Sequence, residues 1–439
     1  MTGPELGAAG FLVLLVLLAL RIPIAVGLMV VGLTGYSIIN GVGPLLNYLK
    51  TAPFWTYHVY DLSVVPLFML MSQFATKAGL NAALFRAANL WLGHRRGGVA
   101  MATVGACAGF GAICGSSIAT AVTMARVALP ELRRYRYSGA LATGTLAAGG
   151  TLGILIPPSI VLVLYAIITE ANIVTLFQAA MVPGILAALG YVLAIGIYVR
   201  LRPDAGPVGD RASRREQWRG LLDVWPVLLI FVLVIGGIYV GIFTPTEGAA
   251  VGAFGTGLIA FAKARMGLND FLDCLVGTAI PTAAIFMVLL GSEFFNAFLG
   301  FTRMPLILAE LIGESGLSPM AVLAVVLIFF IALGCIMDSF AMILLTVPVL
   351  WPIIAGLDFG LDGEETKIWF GIIALIVVEV GLITPPVGLN VFIINSFAKD
   401  VPMTETYKGV VPFLLSDAVR VALLVLFPAL TLTFPRLIG

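Results

Sequence analysis

Long apolar runs separated by short polar breaks dominate the chain, and most approach the roughly 20 residues a helix needs to cross a bilayer. Full spans are predicted at about 7–20, 23–40, 62–76, 138–168, 173–199, 221–242, 246–262, 275–298, 368–396 and 410–434. Two more stretches, 98–130 and 318–352, are too long for one helix and carry glycines or small polar residues near their middles. Both end at prolines: Pro130 in the first, Pro348 and Pro352 in the second. Each is predicted to be a re-entrant helical hairpin that dips in and returns on the same side; the competing reading is one long tilted helix with a polar kink. Residues 79–96 and 300–318, just ahead of the hairpins, are amphipathic. They are predicted to lie flat as interfacial arms bracing a moving unit, against the plainer reading of loops with a helical turn.

Two doubled prolines sit in glycine-rich, apolar surroundings: Gly150-Thr151-Leu152-Gly153-Ile154-Leu155-Ile156-Pro157-Pro158-Ser159 and Gly381-Leu382-Ile383-Thr384-Pro385-Pro386-Val387-Gly388-Leu389-Asn390. Each follows a small-polar cluster, Gly115-Ser116-Ser117 and Asp338-Ser339 respectively. A proline pair removes two backbone donors and must break a membrane helix, and lipid offers the freed carbonyls no partner. Two such breaks in matching halves predict an all-α integral membrane protein. Its expected architecture is an inverted structural repeat with two re-entrant hairpins and two broken helices, and a binding site where the breaks meet.

Composition agrees. The chain is 60% hydrophobic and 11% charged, less than half the charge of a soluble domain. A net charge of +1 leaves no basic face for nucleic acid. Arg21 follows the first apolar run instead of preceding it, the reverse of a signal peptide, so that run is expected to stay as a membrane helix. Cys107, Cys114, Cys274 and Cys335 read as small buried hydrophobes, and His58 and His94 are too scattered for a metal or nucleophilic centre.

Charge also orients the spans. The longest polar connection carries Arg200, Arg202, Arg211, Arg214, Arg215 and Arg219 and is expected to be cytoplasmic. Counting outward puts Lys77, Arg86, Arg95, Arg96, Lys263, Arg265, Lys399 and Lys408 on that side and both termini outside. The first hairpin exits through Arg133-Arg134-Tyr135-Arg136, the second near Asp358, Asp362, Glu364 and Glu365, so the hairpins are expected to enter from opposite faces.

A hairpin tip aimed at a broken helix brings helix ends together. N-termini favour an anion, while carbonyls and hydroxyls suit a hard cation such as Na⁺. Ser116, Ser117, Thr151 and nearby carbonyls could supply oxygen in the first half; Asp338, Ser339, Thr384 and carbonyls in the second. The alternative for each hydroxyl is a bond to its own backbone. The ionisable residues singled out within apolar runs are Arg126, Glu247, Glu293, Asp338 and Glu379. Glu379 is expected to support the second break. Arg126 is a candidate for a substrate carboxylate or a snorkelling anchor. Glu247, in Thr244-Pro245-Thr246-Glu247, reads as a helix cap.

At these motifs the chain resembles the large membrane subunit of tripartite ATP-independent periplasmic (TRAP) transporters. The resemblance covers essentially the whole length and is strongest over residues 115–134, 141–186, 237–253 and 379–392. It implies an elevator-type fold in which hairpins and broken helices slide against a scaffold in the bacterial inner membrane. It also implies Na⁺ as coupling ion with no other cofactor, and two partners: a separate small four-helix membrane subunit and a periplasmic substrate-binding protein. Carried to this chain, the family's cation sites fall on Ser116, Ser117, Thr151 and Gly153, then Gly334, Asp338, Ser339 and Thr384. Substrate contacts fall on Pro157, Ser159, Arg126, Pro385 and Asn390. One departure is Cys114, where the family frequently has serine.

The domain organisation that follows is N-terminal scaffold spans (1–76), an arm (77–97), the first hairpin, broken helix and next span (98–199), and the basic loop (200–219). Second-repeat scaffold spans (220–298), a second arm (299–317), the second hairpin and broken helix (318–409) and a last span (410–439) complete it. The function implied is sodium-coupled uptake of a small organic anion, a carboxylate, delivered by a binding protein. The runner-up is a stand-alone sodium-coupled dicarboxylate or anion symporter. An intramembrane enzyme lacks a nucleophile–base pair or metal motif, and a channel fits broken helices around an occluded site less well.

Overall fold

The computed structural model describes residues 3–314 and 316–438, and apart from an isolated bridge between Arg96 and Val208 its regular structure is helical. Three unbroken helices among the described residues are long and apolar enough to cross a bilayer: Ile173–Leu201, Leu268–Thr302 and Met403–Leu426. Several other apolar helices have 16 or 17 residues, just under the usual spanning length.

One group of helices is built around Leu268–Thr302, which packs along Ile24–Asn40 and Val64–Lys77, with Pro245–Ala264 on the latter. A Cβ on Gly32 would lie 2.6 Å from the Phe294–Phe295 backbone, so this contact depends on the missing side chain. The second group contains both hairpins, both broken helices, Ile173–Leu201 and Met403–Leu426.

The first long stretch is a hairpin. Helix Gly98–Cys114 ends at Gly115, whose φ of +63° suits glycine, and Ser117–Arg134 returns. Val99 N donates to the Tyr137 hydroxyl at 3.1 Å, tying entry to exit. The second stretch divides likewise into Pro319–Gly334 and Ser339–Ala355, and the preceding helix Met304–Glu314 packs on the returning one. The broken helices follow from their prolines. Gly139–Leu155 stops before Pro157-Pro158 and resumes as Ile160–Thr169, bent by 46°. Gly363–Gly381 stops before Pro385-Pro386 and resumes as Leu389–Phe397.

Charged groups sort to two ends. At one, Arg133 bonds Asp400, Lys77 lies 2.5 Å from Asp270, and Gly97 N and Ser138 N donate to the carbonyls of Gly206 and Ala205. At the other, Lys367 meets the Glu170 carbonyl at 3.5 Å and Arg436 lies 2.5 Å from Glu365. The broken helix from Gly139 to Thr169 runs between these two sets of contacts, with the basic exit of the first hairpin toward its start and the acidic exit of the second toward its end.

Four local differences have clear causes. Val42–Tyr57 is an unpredicted helix; Asn47, Lys50 and Thr51 interrupt its apolar run, and exposed Phe54 and Trp55 suit an interface. Arg214–Asp223 forms inside the basic loop because Ser213 and Glu216 make a capping box, which also lowers the Glu216 pKa. The second arm starts only at Met304, since residues through Thr302 continue the long helix. The predicted span 410–434 breaks between Leu426 and Ala429, beside Pro428.

Candidate functional site

At the first tip, Ser116 caps the returning helix, its hydroxyl accepting from Ala119 N at 3.4 Å. The tip reaches the broken helix through two glycines. A Cβ on Gly111 would lie 2.8 Å from the Gly153 Cα, and one on Gly153 would lie 2.6 Å from the Ser116 carbonyl oxygen. The prolines decide what happens next. Ile156 N donates to Leu152 O, but Pro157 and Pro158 have no N–H for the carbonyls of Gly153 and Ile154. No group among the described residues takes their place. Two carbonyls at a helix C-terminus, near Ser116, are an oxygen cluster suited to a hard cation.

The second tip repeats the close approach. A Cβ on Gly381 would lie 2.7 Å from the Gly334 Cα. Asp338 caps the returning helix, with Oδ1 accepting from Phe340 N and Ala341 N at 3.0 and 3.1 Å and Oδ2 making no hydrogen bond among the described residues. Here the break closes on itself. Thr384 N donates to Gly381 O, Asn390 N to Leu382 O, and Gly388 N to Cys335 O. The Thr384 hydroxyl donates to Val380 O at 2.6 Å.

The two tips converge on one carboxylate. Glu379 is fully buried, and its Oε1 accepts from Ser117 at 3.2 Å and Ser339 at 2.6 Å. These serines open the returning helices of the two hairpins. Sequence reasoning assigned Glu379 to the second break alone. The repeated pairing of a cap residue with serine, Ser116-Ser117 and Asp338-Ser339, is the signal that links it to both.

A cavity of about 590 Å³ separates the tips from the helices of the first group. Its walls include Cys114, Ser116, Asp338 and Phe340 from the tips, Arg126 from the first returning helix, and Ser72 opposite. The Ser72 hydroxyl donates to the Cys114 sulfur at 3.0 Å, so this thiol bonds across the divide. Arg126 is exposed and stacks over Phe397 at 5.9 Å, leaving its guanidinium a wall of the cavity. Gln73, Thr76 and Gly277 extend the space toward the end that holds Lys77 and Asp270.

Other sequence candidates lie apart from this cavity. Thr151 bonds the Ala148 carbonyl at 2.7 Å and shares a 3.0 Å bond with the Tyr191 hydroxyl. Pro157 is buried; Ser159 is buried and caps Ile160–Thr169, while Pro385 is exposed outside the cavity. Asn390 is buried, its amide donating to Ala147 O at 3.4 Å. Glu293 accepts from Tyr48 at 2.9 Å, and Glu247 closes a capping box with Thr244, as read from sequence. Sequence reasoning missed a buried pair, Asp417 and Arg420 at 2.7 Å, which joins Thr151 through Tyr191. An apolar run that tolerates an i,i+3 ion pair conceals it. The cysteines are free and buried, and no described His/Cys/Asp/Glu cluster could hold a metal.

The sequence that builds this site matches a known family. The model of the tripartite ATP-independent periplasmic transporter, DctM component, matches residues 11–430. The chain belongs to that family. Among TRAP large permeases it is 37% identical over 387 residues to the C4-dicarboxylate protein DctM of Pseudomonas aeruginosa, covering 88% of each chain. It is 29% identical over 422 residues to the sialic acid protein SiaM of Vibrio cholerae, covering 96% of each. The solved YdaH transporter of Alcanivorax borkumensis has a similar fold, with a TM-score of 0.61 and 15% identity over 88% of this chain and 90% of that one. As a TRAP large permease, the chain is a helical membrane transporter subunit that serves secondary uptake with a binding protein.

Proposed function

We propose that this permease couples inward Na⁺ flow to uptake of a small organic anion handed over by a periplasmic binding protein. The small four-helix subunit completes the transporter in the bacterial inner membrane, with the basic end of the bundle cytoplasmic. The observation that carries this reading is the cavity between two groups of helices, with a lone guanidinium, Arg126, on the same wall as both tips. Its volume suits a small solute, and an arginine fork suits a carboxylate. Relatives named for C4-dicarboxylates and sialic acid favour an anionic cargo.

The first cation takes the carbonyls of Gly153 and Ile154 together with Ser116; the second takes Asp338 Oδ2 and the backbone around Gly334 and Thr384. Hairpins and broken helices then move as an elevator against the Leu268–Thr302 scaffold, each of the two opposed repeats contributing one hairpin and one broken helix. The cavity's extension toward the basic end corresponds to an inward-facing state. The test is uptake of a labelled C4-dicarboxylate by proteoliposomes holding the permease and small subunit, with binding protein outside. Saturable uptake that needs both the Na⁺ gradient and the binding protein is expected. Full uptake by the permease alone would establish the stand-alone symporter instead.

A further inference from the structure

Glu379 makes a contact that neither cation site requires. Its carboxylate sits in the interior with no basic side chain paired to it among the described residues, and its Oε2 has no hydrogen-bond partner. Burying an unpaired carboxylate is costly unless something local compensates. The compensation here comes from the hairpins. Ser117 and Ser339 each donate a hydroxyl to the same oxygen, Oε1. Both serines occupy the first turn of a long helix, of 18 and 17 residues, whose N-terminal partial charge favours an anion.

The two hairpins are far apart in sequence: Ser117 and Ser339 are separated by the whole of the first broken helix and the second-repeat scaffold spans. Glu379 itself lies in the last turn before the second break, close to the Gly334–Gly381 contact. One oxygen therefore connects the first tip, the second tip and the second broken helix.

We propose that Glu379 is a positioning residue that clamps the two hairpin tips into one unit, so that ordering either tip orders the other. Resting on the proposed sodium reading, the clamp has a consequence: a cation that fixes the first tip lowers the ordering cost of the second, and the two sites fill cooperatively. A side chain that merely fills space would give no such linkage.

The clamp can be tested without sodium. Nitroxide labels at Val122→Cys and Ile336→Cys, with the native cysteines replaced by alanine, report the distance between the hairpins by pulsed electron paramagnetic resonance in Na⁺-free detergent or nanodiscs. One narrow distance is expected with Glu379 present. Glu379→Leu, similar in bulk but without an acceptor, should lose the narrow peak; Glu379→Gln, which keeps a carbonyl acceptor, should restore it. The Ser117→Ala/Ser339→Ala pair leaves the carboxylate in place and should broaden the distribution too, which covers a Glu379→Leu protein that does not fold. A narrow peak that persists in the leucine variant, or in the serine double variant, overturns the clamp. Sodium binding measured separately on the unsubstituted protein decides the coupling reading, so the two can fail independently.

Discussion

The two proline breaks are alike in sequence and different in what they leave open. At the first, Gly153 and Ile154 present carbonyls for which Pro157 and Pro158 offer no donor. At the second, the equivalent carbonyls of Gly381 and Leu382 are taken by Thr384 N and Asn390 N. Each unpaired buried carbonyl costs about 1–3 kcal/mol, so the first break stands to gain more from a bound cation than the second. The same proline chemistry thus yields an open oxygen cluster in one half and a self-closed turn in the other. The second half has a carboxylate, Asp338, where the first has only the hydroxyl of Ser116.

The sharpest way to break this comparison is to crowd both glycine contacts. Gly153→Ala places a methyl 2.6 Å from the Ser116 carbonyl, and Gly381→Ala places one 2.7 Å from the Gly334 Cα. Overpacking of about 1–3 kcal/mol is expected at each. For Gly153→Ala it should appear as a roughly tenfold to hundredfold weaker half-activation by Na⁺. For Gly381→Ala it should appear mainly as a lower unfolding temperature, with a smaller sodium defect than Gly153→Ala gives. Sodium titration of uptake beside thermal unfolding separates the two, and equal sodium defects would erase the asymmetry.

Arg126→Ala sharpens the comparison from the cavity side. Loss of a charge-assisted contact of about 1.5–3 kcal/mol should raise the apparent KM for the anion roughly tenfold or more. Sodium half-activation should stay put, because Arg126 touches neither break. Parallel anion and sodium titrations check this, and a sodium shift with unchanged KM would move the anion elsewhere.

The smallest effect is expected at Thr384→Val. Its hydroxyl already donates to Val380 O, so the variant should change sodium half-activation by less than about threefold. A larger loss would show that the hydroxyl itself reaches the second cation.

Much of this was legible because proline and glycine act locally. The hairpins, both breaks and the opposite charge of their exits follow from residues that forbid a continuous helix or fix its ends. Glu247 announced its cap through Thr244 three positions earlier. Contacts between distant segments were less visible. Ser117 and Ser339 are ordinary helix-start serines until both meet Glu379. Asp417 and Arg420 neutralise each other within one turn and left the apolar run intact. Val42–Tyr57 escaped because Asn47, Lys50 and Thr51 interrupt its apolar run. Thr151 looked like a ligand from its place beside the break, yet its hydroxyl bonds the Ala148 carbonyl and Tyr191.

The central claim is that the hairpins move relative to the scaffold, and Ser72 and Cys114 offer a direct handle on it. Their side-chain heteroatoms lie 3.0 Å apart across the divide, close enough for a Ser72→Cys substitution to form a disulfide with the native thiol. Uptake by this variant should stop on oxidation and return on reduction, with Ser72→Cys/Cys114→Ala insensitive to both. Complete cross-linking with undiminished uptake would show that the tip and the scaffold helix stay together throughout transport, and the elevator would be wrong.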